Sequence, residues 1–326
     1  MKLATLKSTQ SRDGELIVVS KDNKHAVKVP EIAANLREAI EKWEESAPKL
    51  EEVYKKLNDG LITNGFYIDT EKLHSPMPRT FQWADGSAFI HHIKLVRQAR
   101  NAPLPETLTT VPLMYQGGGD DFLPPMADIP QIDFSHGTDF EGEVGVITGD
   151  VPMGVSANEA LKYIRLFVMI NDVSLRGLIP EELKQGFGFF HGKPSTAFAP
   201  FAVTADELGK AWKDGRIHLP LDVKLNHKFF GLANAGQMHF HFGELIAHAA
   251  KTRNLKAGCI IGSGTVSNED MSKGSSCLAE KRMLEQIHEG KVSTPFLKVG
   301  DIVEMEMFDD QGHSIFGKIE QKVAQA

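Results

Sequence analysis

The chain is short of the residues that would tie it to an oxidising compartment, a membrane or a nucleic acid. It has two cysteines in 326 residues, Cys259 and Cys277. Their spacing matches no metal or redox motif such as C-x-x-C, which excludes a thiolate zinc site and predicts a reduced, cytoplasmic setting. Both read as small buried side chains rather than nucleophiles. No run approaches the ~20 apolar residues of a membrane helix. The first ten residues, M-K-L-A-T-L-K-S-T-Q, hold no apolar core of a secretory leader. There is no block of basic residues, and the net charge is -7. Nucleic acid is therefore not an expected partner. No internal repeat and no low-complexity segment is present.

What is present is the make-up of an ordinary globular chain. Hydrophobic residues are 41% and charged residues 24% of the total, enough for a full core. Residues 1–77 read as a small N-terminal α+β domain. Ala4-Thr5-Leu6 and Gly14 to Val19 form a hairpin pattern. Charged helical sequence follows from Glu31 to Asp59, with Leu36, Ile40 and Trp43 at helical spacing. Pro48 is expected to split it into two helices, and Gly60 to end the second. Residues 78–326 read as a second, larger domain of short strands. Ser156 to Glu159 is a capping box. Short helices are expected at 179–185 and 242–253. His239 and His241 read as local packing or caps for the latter. Leu221 to Leu225 turns back through Asn226-His227, and Val303, Met305 and Met307 alternate with Glu304 and Glu306. The fold class is α+β, a mixed β-roll or β-sandwich.

Three acidic clusters stand out against this background. Glu141 and Glu143 are two residues apart in D-F-E-G-E-V-G-V, so a strand places them on one face. Asp172 ends the apolar run L-F-V-M-I-N-D. Asp85 precedes G-S-A-F-I-H-H, where it reads as the N-cap of a helix with His92 two turns along. Taken singly, each acid reads equally well as a cap, a turn residue or a solvated strand residue. Jointly, carboxylates beside apolar strands point to a shared divalent cation, because an unpaired buried charge costs several kcal/mol. All-oxygen ligands select Mg²⁺ or Mn²⁺, with Ca²⁺ also admissible. Arg176 and Lys193 are the nearby cations that would offset the excess negative charge.

These runs resemble the fumarylacetoacetate hydrolase family. The resemblance rests on Asp85 and His92, on E-G-E at Glu141 and Glu143, on N-D-V-S-L-R at Asn171 to Arg176, on G-K-P-S at Gly192 to Ser195, and on G-S-G-T-V-S at Gly262 to Ser267. It covers about residues 78 to 322. It implies the fumarylacetoacetase type of fold, with residues 1–77 as the domain that precedes the catalytic one. It implies that Asp85, Glu141, Glu143 and Asp172 hold the metal. His92 would be the general base, Glu280 its orienting partner, and Lys193 and Arg176 the groups that stabilise negative charge. Tyr115 and Thr265 would bind substrate, and Arg100 or Arg97 a substrate carboxylate. Tyr115 to Gly119 reads as a mobile loop over the site. The implied assembly is a homodimer, and the implied setting is the catabolism of aromatic compounds.

The implied reaction is hydrolysis of a carbon–carbon bond in a 1,3-diketo acid. Isomerisation, hydration or decarboxylation of a 2-oxo acid such as oxaloacetate is the alternative on the same site. Ser87 and Ile179 stand where the hydrolase of tyrosine breakdown has tyrosine and glutamine. These departures count against fumarylacetoacetate itself and leave a related diketo acid of the acylpyruvate type open. A structural cation site in a non-enzymatic protein is the remaining reading. Four protein ligands disfavour it, because they leave open positions on an ion that prefers about six.

Overall fold

A computed structural model describes residues 1–99, 103–104 and 106–326. Its centre is a twelve-stranded sheet. The strands Ile164–Asn171 and Gly142–Thr148 pair antiparallel in the middle, with Gly142 opposite Asn171. Beyond Gly142–Thr148 lies Ile260–Gly262, which pairs in parallel with Trp83–Gly86. Met114–Gly117 closes that edge. On the other side the sheet continues through Ala202–Val203 into Lys2–Leu6, Glu15–Val19, His25–Lys28 and Phe66–Tyr67. The strands of the first 77 residues are thus part of the same sheet.

The run L-F-V-M-I is apolar at every position because both faces of its strand are covered. Phe167 and Met169 pack with Leu221, Val223, Val303 and Met305 of a second, five-stranded sheet. Leu166, Val168 and Ile170 pack instead with Leu36, Ile40 and Leu50 of the N-terminal helices. The molecule is accordingly two packed sheets with helices on the outer face of the larger one. Asn226 and His227 both have positive φ, 54° and 62°, as a two-residue hairpin turn requires. They join Pro220–Leu225 to Lys228–Asn234.

Pro48 does not split the N-terminal helix. The break falls at Lys42, between Leu36–Glu41 and Trp43–Asn58. Pro48 lies inside the second helix on its solvent face. Glu44, whose carbonyl lacks the proline N–H as a donor, is also exposed, so water satisfies that group. The helix expected over 242–253 is shorter, Phe242–Ala249, and His241 caps it, accepting from Gly243 N–H while Glu244 accepts from its own N–H. Among the described residues no helix is long and apolar enough to cross a membrane.

Candidate active site

Three strand ends bring the acids together. Glu143 follows the first residue of Gly142–Thr148, opposite Ile170. Asp172 comes directly after Ile164–Asn171, and its N–H donates to the Glu141 carbonyl at 2.9 Å. Asp85 lies in Trp83–Gly86, paired with Gly262. Asp85, Glu143 and Asp172 each offer an oxygen within 4.8 Å of the others. Glu141 lies beside this group but not in it. Its Oε1 accepts from Arg176 Nη2 at 2.5 Å and its Oε2 from Lys193 Nζ at 2.6 Å. Lys193 Nζ also donates to Asp172 Oδ2 at 2.6 Å, and Tyr115 Oη donates to the same oxygen at 2.6 Å.

Glu143 is the telling member. It has no exposed surface, and among the described residues neither of its oxygens has a hydrogen-bond partner. Burial, reinforced by the charges of Asp85 and Asp172, pushes its carboxyl well above the usual range. Burial and Asp172 do the same to Asp85. A buried pair of this kind must take up a proton or face a cation. The donors are all carboxylate oxygens, which fits a hard divalent cation rather than a soft one. Burial would also raise Glu141, but Arg176 and Lys193 outweigh it and hold that group well below its ordinary value. Burial opposes the charge of Lys193, yet Asp172 and Glu141 keep the ammonium firmly protonated. Burial pushes the Tyr115 hydroxyl up, so it stays a donor.

His92 sits on the helix Ile90–Ala99, and its Nδ1 is 2.8 Å from Glu280 Oε2 on the helix Leu278–Glu289. A carboxylate can only accept, so Nδ1 carries a proton, and in the neutral ring the lone pair lies on Nε2. Glu280 is 2% exposed. Cys277 caps its helix, with Sγ accepting from Glu280 N–H at 3.3 Å. Burial raises both thiols, that of Cys259 to about 11, so neither is a nucleophile at neutral pH. Asp85, Glu141, Arg176, Lys193, His92, Tyr115, Thr265 and Arg97 line one cavity of about 970 Å³, with Glu143, Asp172 and Glu280 buried behind these residues. Arg100 lies outside the described residues.

Two expectations about the site need correction. Asp85 does not cap the helix that carries His92. It is a strand residue whose Oδ1 accepts from Gly264 N–H at 2.9 Å, and the helix begins only at Ile90. Tyr115 to Gly119 is not a mobile loop, since Met114–Gly117 is a paired strand. Its glycines serve close packing: a Cβ at Gly117 would lie 2.0 Å from the Trp83 ring. Two contributing residues escaped the sequence reading. Asp139, fully buried, accepts from Leu278 and Ala279 N–H at 2.8 and 2.9 Å and from Arg176 Nε at 2.9 Å, so it anchors both the Glu280 helix and Arg176. The available signal was its place two residues before Glu141. Thr196 Oγ1 donates to Asp172 Oδ1 at 2.7 Å, three residues beyond Lys193.

Two predictions follow from the supports of this site. A Cβ at Gly262 would lie 2.3 Å from Asp85 Oδ1 and 2.5 Å from Trp83. Gly262→Ala should displace Asp85 and weaken Mn²⁺ binding roughly 10–100-fold, as changes behind a metal ligand do; calorimetric titration with Mn²⁺ reads this. Glu285 accepts from the N–H groups of Ser293 and Thr294 at 2.8 and 2.9 Å and from the Thr294 hydroxyl. Burial raises its pKa, but these hydrogen bonds prevail and hold it at about 2. Its folded value is depressed, so its stabilisation is present above the ordinary glutamate range and lost as pH falls through about 2. Glu285→Gln should cost roughly 1–3 kcal/mol at pH 7. Its loss of stability on acidification should be less steep than wild type, measured by thermal unfolding across pH.

Two packed sheets that bring a buried acidic cluster, two cations and a His–Glu pair together around one cavity have the make-up of an enzyme active site. Residues 82–324 match the family model for the fumarylacetoacetate (FAA) hydrolase C-terminal domain, and residues 1–79 match fumarylacetoacetase N-terminal domain 2. The chain belongs to the fumarylacetoacetate hydrolase family. It is 26% identical over 261 residues to oxaloacetate tautomerase YisK of Bacillus subtilis (strain 168), covering 78% of this chain and 83% of that one. Among solved structures it resembles maleylpyruvate hydrolase from Sphingobium sp. SYK-6 in complex with manganese(II) ion and pyruvate, with a TM-score of 0.66, 16% identity and 100% of both chains covered. It also resembles 5-carboxymethyl-2-hydroxymuconate delta-isomerase from Mycobacterium smegmatis, at 0.62 and 14%, covering 100% of this chain and 99% of that one. These structural likenesses carry the fold. The relatives' names span hydrolase, isomerase and tautomerase.

Proposed function

We propose that the protein is a divalent-metal-dependent hydrolase that cleaves a carbon–carbon bond in a 1,3-diketo acid of the fumarylacetoacetate or acylpyruvate type. The observation that carries this reading is the 2.8 Å contact by which the buried Glu280 holds His92, a residue that lines the same cavity as Asp85 and Glu141. A tautomerase needs only a proton shuttle, whereas hydrolysis needs a base held so that its free nitrogen can activate water.

Asp85, Glu143 and Asp172 would hold Mg²⁺, with Mn²⁺ or Ca²⁺ as substitutes and Glu141 as the fourth ligand. When bound, such a cation polarises the carbonyl oxygens of a 2-oxo acid and draws charge off the enolate. His92 Nε2 takes a proton from water, and Glu280 stabilises the imidazolium that results. The hydroxide adds to the acyl carbonyl carbon, and the bond to the adjacent methylene breaks. That methylene leaves as an enolate beside Lys193 and Arg176 and regains a proton. The products are a free acid and an oxo acid, which is a 2-oxo acid from an acylpyruvate and a 3-oxo acid from fumarylacetoacetate. Tyr115 and Thr265 orient the substrate, and Arg97 is the candidate for a carboxylate contact. The working unit is a homodimer in the cytoplasm.

The relation to an oxaloacetate tautomerase over 78% of the chain supports a second reading. In it the same His92 moves a proton between carbon and oxygen of a 2-oxo acid, and no bond to carbon is cut. Acylpyruvates and oxaloacetate assayed side by side with Mg²⁺ and Mn²⁺ separate the two. Release of pyruvate and a free acid from an acylpyruvate is the expected result. Conversion of oxaloacetate with no acylpyruvate cleavage would overturn the first reading.

A further inference from the structure

The polar groups gather at one end. Arg176, Lys193 and Tyr115 are bonded to Glu141 and Asp172, Asp85 and Glu143 lie beside them, and His92 is bonded to Glu280. The rest of the wall has a different character. Phe189 stands edge-on to the Tyr115 ring, with centroids 5.3 Å apart. From there the lining is carried mainly by Leu113, Leu183, Met283, Val292 and Phe296, with Gln286 the uncharged polar side chain among them. Arg282 lies on this wall, but its guanidinium sits 4.1 Å over the Phe296 ring and donates to the Thr294 carbonyl. It is committed to the wall and covers apolar surface with its own stem. Arg97 is the other cation there. The volume, about 970 Å³, lies at the upper end of the roughly 300–1,000 Å³ that takes a drug-sized ligand. A four-carbon dicarboxylate held at the acidic cluster would leave most of it unfilled.

We infer that the preferred substrate is a 2-oxo acid whose far arm is apolar, an aliphatic chain of about five or six carbons or a phenyl ring, rather than a second carboxylate. The inference rests on the proposed reading for its orientation, with the 2-oxo acid end at the acidic cluster. The arm then lies between Phe189, Phe296 and Met283. Each methylene buried there should raise kcat/KM up to roughly fourfold.

The test is a chain-length series on the wild-type protein with Mn²⁺. Acetylpyruvate, butanoylpyruvate and hexanoylpyruvate are compared with an acylpyruvate of matched length that ends in a carboxylate. The expected result is a rise of at least tenfold in kcat/KM from acetyl to hexanoyl, and a carboxylate-ended compound at least tenfold below its apolar counterpart. A second arm reads binding without turnover. By calorimetry on the Mn²⁺-loaded protein, 2-oxooctanoate should bind at least tenfold more tightly than 2-oxobutanoate. In Met283→Asp that ratio should fall to near one. A flat series in both arms, or a preference for the carboxylate-ended compound, overturns the inference. If acylpyruvates are cleaved without regard to length, only the inference fails. If none is cleaved and 2-oxo acid binding still strengthens with length, hydrolysis fails as the reaction and the apolar arm stands.

Discussion

His92→Ala should abolish turnover, lowering kcat by roughly 10²–10⁴-fold, the usual worth of a positioned general base. Its affinity for Mn²⁺ should stay at the wild-type level. The two outcomes separate because His92 bonds to Glu280 and to none of the clustered carboxylates. Glu280→Gln tests the same pair from behind. An amide can donate to Nδ1, which would place the ring proton on Nε2 and remove the base while leaving the ring in place. A loss nearly as large as that of His92→Ala is therefore expected, together with a changed pH profile of kcat. Steady-state kinetics with an acylpyruvate, alongside Mn²⁺ calorimetry, measure both. Equal rates in His92→Ala and wild type would remove His92 from the mechanism. A collapse of Mn²⁺ affinity in His92→Ala would mean that the residue supports the cation site instead.

The parts of this arrangement that were legible in the sequence are those where chemistry clashes with its surroundings. A carboxylate next to L-F-V-M-I, or two of them alternating into V-G-V, reads singly as a turn or a solvated strand, and only their joint occurrence made Glu141, Glu143 and Asp172 legible as a site. The hairpin at Asn226-His227 and the helix after His241 were legible because turn and cap chemistry is local. Asp85 was legible as a site residue but not as a strand residue. Its strand is four residues long and exists through parallel pairing with Ile260–Gly262, a partner some 175 residues away that no local pattern reveals. The glycines at 117–119 misled for a related reason. Gly117 and Gly119 let the backbone approach Trp83 and Thr80, which is visible only once both segments are in place. Pro48 misled because its cost depends on whether the carbonyl one turn back can reach water. Asp139 was hidden because an acid that binds helix N–H groups looks, in one dimension, like any other acid before a strand.

The larger thermodynamic effect should come from Glu143→Gln, and its sign should depend on the metal. In the metal-free protein Glu143 is a carboxyl group without exposure or partner beside Asp85 and Asp172, and it must either stay charged or take up a proton, each at a cost. A neutral amide of the same volume escapes that cost, and its N–H groups have carboxylates to donate to. Metal-free Glu143→Gln should therefore be more stable than metal-free wild type, by on the order of 1–4 kcal/mol at neutral pH. The folded-state values of Glu143 and Asp85 are raised above their unfolded ones. Their contribution is then fully present below the ordinary carboxylate range and lost as pH rises through the raised values. The advantage of the variant should accordingly vanish in acid and open as pH increases. Saturating Mn²⁺ should reverse the order. Wild type gains about 2.7 kcal/mol at a hundredfold excess over Kd, and the variant, short of one anionic ligand, gains little. Thermal unfolding with chelator and with Mn²⁺, at several pH values, measures all of this. A variant that is less stable than wild type without metal, or that gains as much from Mn²⁺, would show that Glu143 is not held in reserve for a cation.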